Sequence, residues 1–131
     1  MKALLVHSPN AGTKPTPLTS LMSQLEEAGF AIRYCEHGRD DIRSGMIGME
    51  MAIAAGGDGT VASVAIEMPD RSLPIAILPM GGSNNIARAL GIRQSADAVI
   101  GGLGDIREKT LTVGRVTGPF GKRGFLEAVG L

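Results

Sequence analysis

The segment MAIAAGGDGT, residues 51–60, carries more information about the fold than any other part of the sequence. Its first five residues form an unbroken apolar run, which is typical of a β-strand buried on both faces of a parallel sheet. Glycines and one carboxylate follow, and apolar residues then recur at helical spacing from Val61 to Met68, where Pro69 ends the pattern. The segment predicts a strand, a tight loop and a helix in direct succession.

Similar successions flank this segment on both sides. On the C-terminal side, the apolar run 74–79 precedes a second glycine loop, residues 81–85, and a short helix that begins near Ile86. On the N-terminal side, the apolar run 3–6 precedes a loop of small residues at positions 8–12. The unit of strand, loop and helix is therefore predicted three times.

Signals for the ends of helices are clear in the N-terminal third of the chain. A first helix is predicted before Gly29, with Thr16 as its N-cap and Pro17 as its first helical residue. Gly29 is expected to end this helix in a left-handed conformation. Residues 30–35 then alternate enough to predict a second strand.

The remaining segments give weaker signals. The stretch 39–50 favours a helix only weakly because it contains two glycines, and residues 95–103 are compatible with one more helix. The alternation in residues 110–116 and a further segment at 124–129 predict the beginning of antiparallel β structure.

Strands that alternate with helices predict an α/β fold with three layers, α/β/α, around a mainly parallel, Rossmann-like sheet. We expect an α/β domain in residues 1–108 and the beginning of a β-rich domain in residues 109–131. Right-handed crossovers bring the loops that follow the strands to one edge of the sheet. Sheets of this kind bind their ligands at that edge.

Three of these loops are predicted to hold phosphate groups. Two of them open helices, whose first turns offer unpaired N–H groups at the positive end of the helix dipole. One such loop by itself would be read as a tight turn, but two in the same context favour phosphate binding. Thr60, Ser83 and Asn84 are expected to add side-chain donors. The predicted binding residues are Ser8, Pro9, Asn10, Gly12, Gly56, Gly57, Asp58, Gly59, Thr60, Gly81, Gly82, Ser83 and Asn84.

Asp58 is the unusual member of this set. A carboxylate inside a phosphate-binding loop repels the ligand unless it holds Mg²⁺ or accepts a proton from an attacking hydroxyl. We therefore predict Asp58 as the catalytic residue and as the metal ligand. The alternative is that Asp58 caps the helix that begins near Thr60.

The three loops together resemble the motifs of the diacylglycerol kinase family. GGDGT at 56–60 is similar to a signature that diacylglycerol, sphingosine, ceramide and NAD kinases share. LPMGGSNNIAR at 78–88 resembles the second motif of diacylglycerol kinases, L-P-x-G-T-x-N-D-x-A-R, and SPNAG at 8–12 is similar to their first loop, N-P-x-[SA]-G. The second motif favours the lipid kinases over the NAD kinases.

This resemblance implies a domain that binds ATP or ADP with Mg²⁺ and that transfers the γ-phosphate to a lipid hydroxyl. The lipid would bind through a β-rich second domain of which the chain holds only the beginning, so we expect weak nucleotide binding and little or no lipid turnover by this chain alone. Three positions depart from the family pattern: Gly82 stands in place of Thr, Asn85 in place of Asp, and Ser63 in place of Glu.

Composition limits the other classes of function. The 13 basic and 13 acidic residues balance, and aromatic residues make up 3% of the chain, so neither charge nor stacking favours nucleic acid. No apolar run is long enough to cross a membrane, and a single cysteine, Cys35, fits a reducing, cytoplasmic location. The sequence leaves homodimerisation open.

Neither of the two histidines is expected to be a catalytic residue. His7 is expected to be a hydrogen-bonded residue at the end of the first strand rather than a catalytic one. His37 is expected to lie in a plain loop, with contact to a nucleotide as the alternative; Cys35 and His37 alone supply too few ligands for a metal site.

Two other functions compete with the lipid kinase. One is an enzyme similar to NAD kinase. The other is a non-enzymatic nucleotide-binding or regulatory module, which the losses at positions 63, 82 and 85 favour. The two differ from a lipid kinase in their products, since the first would phosphorylate NAD and the second would bind ATP without turnover.

Overall fold

The computed structural model describes residues 1–10, 17–70, 72–92 and 99–100, together with the backbone of residues 111–118 and 121–128. Gly12 and Thr16, to which the sequence assigns a binding role and a capping role, lie outside the described residues.

Four parallel strands form the central sheet, as predicted. They are β1 (Lys2–His7), β2 (Ala31–Glu36), β3 (Met51–Gly56) and β4 (Ile75–Pro79). Their order across the sheet is β2-β1-β3-β4. The carboxyl ends of the four strands are level, since His7 pairs with both Glu36 and Ala55, and Gly56 pairs with Pro79. The loops that follow the strands therefore leave the sheet along one edge.

The strand order contains a switch point between β1 and β3. From β1 the chain crosses to β2 on one side, and from β3 it crosses to β4 on the other. Connections that leave in opposite directions open a crevice at the carboxyl ends of the two central strands, and open α/β sheets bind their ligands there. The loops that begin at Ser8 and Gly57 flank this crevice.

The helices are α1 (Leu18–Glu27), α2 (Ile42–Gly45), α3 (Asp58–Glu67) and α4 (Asn85–Ala89), and residues 99–100 are also helical. The end of α1 follows the prediction: Gly29 has φ +97°, its N–H donates to the Glu26 carbonyl, and the Phe30 N–H donates to the Leu25 carbonyl. Pro17 occupies the N-cap position rather than the first helical position. The remainder of the predicted helix 95–103 lies outside the described residues.

The prediction of a helix over residues 39–50 was wrong in extent, because α2 is a single turn. Asp41 caps its start by accepting a hydrogen bond from the Ser44 N–H. Gly45 packs so closely on Leu4 that a Cβ would lie 2.9 Å from the Leu4 Cδ1 atom. Gly48 then adopts φ +80°, a left-handed conformation that ends a helix. Gly45 and Gly48, the two glycines that made the prediction of a helix weak, thus limit α2 to one turn.

Two hydrophobic cores lie on opposite faces of the sheet and confirm the three-layer α/β/α architecture. Alternate residues of each strand point into each core, as the apolar runs predict. The core on the side of α2, α3 and α4 contains Leu4, Val6, Cys35, Ile42, Met46, Ala52, Ala54, Val61, Val64, Met68, Ile77, Ala87 and Leu90. The core on the side of α1 contains Ala3, Leu5, Leu21, Leu25, Met51, Ile53, Ala55, Ala76, Leu78 and Ile100.

A separate two-stranded sheet follows near the C-terminus. Its strands β5 (Leu111–Gly118) and β6 (Gly121–Ala128) pair antiparallel, in agreement with the predicted β structure, although β6 begins earlier than position 124. The division into domains at residue 108 remains a prediction.

Of the helices that the structure describes, none combines the length and the apolar character needed to cross a membrane.

Candidate functional site

The two glycine loops meet backbone to backbone at the carboxyl edge of the sheet. A Cβ on Gly57 would lie 3.3 Å from the Gly81 Cα, and a Cβ on Gly81 would overlap the Gly57 Cα. The Met80 N–H also donates to the Gly56 carbonyl over 3.0 Å. Segments 56–60 and 81–85 therefore lie together, as the predicted phosphate site requires.

Asp58 joins the two loops through its carboxylate. It is the first residue of α3, and it accepts hydrogen bonds from the Asn85 N–H at 2.9 Å and from the Ile86 N–H at 2.8 Å. The alternative expectation, that Asp58 caps its own helix, was wrong, because the helix that it caps is α4. Two first-turn amides of α4 are thereby engaged within the protein.

Asn84 holds the second glycine loop closed. Its side-chain Oδ1 accepts from the Gly81 N–H and its Nδ2 donates to the Gly81 carbonyl, both over 2.9 Å. Its backbone has φ +52°, a left-handed conformation that asparagine tolerates better than most residues. The Nδ2 group has a second N–H, so the expected role of Asn84 as a side-chain donor to phosphate stays a prediction.

Thr60 lies under the first glycine loop, and its role as a side-chain donor also stays a prediction. Its side chain is only 3% exposed and lies against Gly56, where a Cβ on that glycine would be 2.8 Å from the Thr60 Cβ. The hydroxyl lies 3.3 Å from the His37 Nδ1. Thr60 therefore shapes the loop from beneath. Ser83 is exposed and has no hydrogen-bond partner among the described residues, so it keeps the role predicted for it.

His37 connects the loop after β2 to α3, which the sequence did not predict. Its Nε2 lies 3.0 Å from the Ser63 Oγ, and its backbone N–H donates to the His7 carbonyl over 2.9 Å. The signal in the sequence was the pair of hydroxyls at positions 60 and 63. These positions share one face of a helix, so they mark a polar spot that needs a partner.

Backbone donors remain available at the beginning of α3. The first-turn amides of a helix have no acceptor within the helix, and those of Gly57, Asp58 and Gly59 find none in the part of the chain that the structure describes. They lie at the positive end of the dipole of a ten-residue helix, beside the switch point. An anionic group fits this place.

The other predicted binding residues surround these amides. Ser8 borders Gly56, since its Cβ would lie 3.2 Å from a Cβ added there. Pro9 and Asn10 are exposed at the same edge of the sheet, and Gly82 is exposed with open space around it. Gly12 lies outside the described residues, so the first loop is described only in part.

A metal ion would depend on few protein ligands here. No group of three or more His, Cys, Asp or Glu side chains comes together within the described ranges. Asp58 uses one lone pair on each oxygen for the α4 amides, which leaves others for a cation. Mg²⁺ is commonly held by one or two carboxylates together with substrate phosphates, so Asp58 is compatible with such a site.

His7 is buried at the end of β1 and is 2% exposed. Its Nδ1 lies 3.2 Å from the Tyr34 Oη, which confirms the expected hydrogen-bonded strand-end histidine, and its Nε2 has no partner within the part of the chain described here. Burial lowers the pKa of His7 below its ordinary value, and the nearby Glu36 charge offsets this only in part. The imidazole is therefore held neutral near pH 7.

Cys35 is a free, buried thiol on the opposite face of the sheet. Burial raises its pKa, and the charges of Asp40 and Asp41 raise it further. The side chain therefore behaves as part of the core rather than as a nucleophile.

Comparison with known proteins points to one family. The family model for the diacylglycerol kinase catalytic domain matches residues 2–116. Over 111 residues the chain is 32% identical to the "Probable lipid kinase YegS-like" of Enterobacter sp. (strain 638), covering 74% of this chain and 35% of that protein. Identity and coverage are the same for the "Probable lipid kinase YegS" of Salmonella arizonae.

A solved structure supports the same conclusion for the fold. A diacylglycerol kinase from Bacillus anthracis superposes with a TM-score of 0.67 at 22% identity, covering 92% of this chain and 44% of the other. Of the curated relatives that it matches, the chain spans about a third of the length. Because the family model covers most of the 131 residues, the chain belongs to the diacylglycerol kinase catalytic domain family.

Proposed function

We propose that this chain is the ATP-binding part of a lipid kinase that transfers the γ-phosphate of ATP to a lipid hydroxyl. The observation that carries the proposal is the contact between Gly57 and Gly81 beside the amides that begin α3, which have no acceptor among the described residues. Amide hydrogens at a helix N-terminus bind phosphate without a basic side chain, and the glycines let the oxygens approach.

The roles within the site follow from its geometry. The amides of residues 57–59 would hold the phosphate chain, and exposed Ser83 would add a hydroxyl donor. Ser8, Pro9 and Asn10 would border the phosphates from the first loop. Asp58 would hold Mg²⁺, which when bound neutralises phosphate charge. The same carboxylate would keep the second loop in place through α4.

We propose that the lipid acceptor binds outside residues 1–108. The matched relatives are about three times as long as the matched segment, and β5 and β6 form a separate sheet. In this proposal residues 1–108 form the nucleotide-binding domain, and residue 109 begins a β-rich second domain. The 131 residues alone would then bind nucleotide and phosphorylate little or no lipid. The single buried thiol supports a cytoplasmic location.

Calorimetric titration of ATP and ADP with Mg²⁺ tests the binding step. We expect saturable binding by the wild-type chain and its loss in Gly57→Val, because the valine side chain would fill the space at Gly81. Glu67→Gln, at the far end of α3, is the matched control and should bind like wild type. Absence of saturable binding at millimolar nucleotide would refute the proposal.

A non-enzymatic nucleotide-binding module is the second candidate. It is favoured by Ser63, Gly82 and Asn85, which replace family side chains, and by the internal engagement of Asp58. A chain extended to the full length of the relatives separates the two candidates. Transfer of radioactive phosphate from ATP to diacylglycerol supports the kinase, whereas ATP binding without transfer to any lipid supports the module.

A further inference from the structure

The imidazole of His37 is held at both nitrogens by side chains of α3. Its Nδ1 lies 3.3 Å from the Thr60 Oγ1 and its Nε2 lies 3.0 Å from the Ser63 Oγ. A neutral imidazole has one donor and one acceptor nitrogen, and a hydroxyl can donate or accept, so both contacts can be hydrogen bonds in either tautomer. No ring nitrogen is left over for a ligand.

Thr60 in turn contacts the backbone at which the two glycine loops meet. Its buried side chain covers Gly56 so closely that a Cβ there would meet the Thr60 Cβ at 2.8 Å. The Gly56 carbonyl in turn accepts the Met80 N–H of the second loop over 3.0 Å. The rotamer of Thr60 therefore bears on the position of the backbone at which both loops meet.

We propose that His37 is a positioning residue for nucleotide binding. Its Nδ1 fixes the rotamer of Thr60, and Thr60 fixes the peptide at Gly56 that sets the spacing of the two glycine loops. The Ser63 contact only orients the ring. This inference rests on the proposed function for its effect on affinity, but its structural part concerns the protein without nucleotide.

Two substitutions separate the two nitrogens of the ring. The amide of asparagine reaches about as far as Nδ1, and the amide of glutamine reaches about as far as Nε2. His37→Asn should therefore keep the Thr60 contact, and His37→Gln should keep only the Ser63 contact. Ser63→Ala is the matched control, because it removes the second contact and leaves Thr60 bonded.

The affinity for MgATP, measured by calorimetry, gives the first test. His37→Ala should weaken binding by about three- to tenfold, which corresponds to the net worth of one hydrogen bond. His37→Asn and Ser63→Ala should stay close to wild type, and His37→Gln should be as weak as His37→Ala. Equal affinities for the Asn and Gln variants would overturn the proposal, and the pair decides even if the alanine variant fails to fold.

A double-mutant cycle with Thr60→Val distinguishes positioning from direct contact with the nucleotide. Valine keeps the shape of threonine without its hydroxyl. If His37 acts through Thr60, the double variant should bind no more weakly than the weaker single variant. Additive losses would mean that His37 touches the ligand itself and would refute a positioning role.

Hydrogen exchange of the Met80 amide, measured without nucleotide, provides an independent readout. We expect faster exchange in His37→Ala and Thr60→Val, and wild-type exchange in His37→Asn and Ser63→Ala. If the wild-type chain does not bind MgATP, the proposed function fails, yet this measurement still decides the inference about His37. Unchanged exchange in His37→Ala would contradict it.

Discussion

Gly81 has no room for a side chain, whereas the neighbouring Gly82 does. A Cβ at position 81 would overlap the Gly57 Cα and lie 3.1 Å from the Asn84 Oδ1, while nothing lies within 4 Å of a Cβ at position 82. We expect Gly81→Ala to destabilise the fold by about 2 kcal/mol, as overpacking in a tight place does. Thermal unfolding checks this, with Gly82→Ala as the control that should unfold like wild type. Equal melting temperatures for the two variants would contradict the packing argument.

Asn84 allows a second comparison at the scale of one residue. Asn84→Gly and Asn84→Ala both lose the two hydrogen bonds to Gly81 and both have to adopt the left-handed backbone at φ +52°, which is strained for alanine but not for glycine. That conformation costs a residue with a Cβ roughly 1–2 kcal/mol. We expect Asn84→Ala to be the less stable variant by about 1 kcal/mol in urea unfolding. The reverse order would mean that the loop rearranges.

The sequence predicted the backbone of the site better than its side chains. Glycines after buried strands require close approach or sharp turns, so the meeting of residues 57 and 81 follows from local pattern and topology. The partners of Thr60 and Asp58 do not, because they come from His37 and from α4, which are distant in sequence. A carboxylate that could cap any nearby helix cannot be assigned to one of them before the helices are placed.

The contact between α3 and α4 depends on Asp58 at the scale of whole elements. α4 has only five residues, so packing and capping rather than length must stabilise it. Charge-assisted hydrogen bonds are worth about 1.5–3 kcal/mol each, and a half-buried carboxylate lies toward the low end. The start of α4 is thus held by a residue of another helix.

Asp58→Asn tests this dependence. The amide can still accept through one oxygen, but its NH₂ group cannot accept a hydrogen bond, so one of the two α4 amides loses its partner. We expect faster hydrogen exchange at Asn85 or Ile86 and a lower melting temperature than in Glu67→Gln, whose surface ion pair with Arg43 contributes little. Wild-type exchange at both amides would show that α4 stands without Asp58.

Elements differ in how far sequence predicts them. α1 has a regular apolar face around Leu21 and Leu25 and a glycine after its end, and it differs from the prediction only by one residue at its start. α2 lacks such a face. Its length is limited instead by the fit of Gly45 against Leu4, a contact between segments that are distant in sequence. Periodicity within an element predicts long helices well, and contacts with other elements determine short ones.

The pH dependence of the whole molecule should reflect His7. Its pKa is lowered in the folded state by burial, so near and below pH 6.5 the unfolded chain binds more protons than the folded one. Stability that is fully present above pH 6.5 is therefore lost as the pH falls through the folded pKa. We expect the free energy of unfolding to fall between pH 7 and pH 5, and to fall less in His7→Val. A variant with the same pH dependence as wild type would exclude His7 as the cause.

Strand alternation predicted a parallel sheet with its loops at one edge, but not the order β2-β1-β3-β4. That order depends on the side of β1 to which the third strand adds. The apolar runs of residues 3–6 and 51–55 do not reveal this side, because both are apolar on both faces. The division of the apolar residues between two cores follows once the order is known. Topology at this scale is fixed by packing that no single segment encodes.

The contact between Gly57 and Gly81 restricts how this protein can evolve. A methyl group on either residue would press on the backbone of the other. No smaller side chain elsewhere can relieve this contact, because the opposing atoms belong to the backbone. Among the folded clones of a library randomised at both codons, glycine should be almost invariant at position 81, where a Cβ would overlap the Gly57 Cα, and less strictly required at position 57. Two motifs that are separated in the sequence thus constrain each other's residues during evolution.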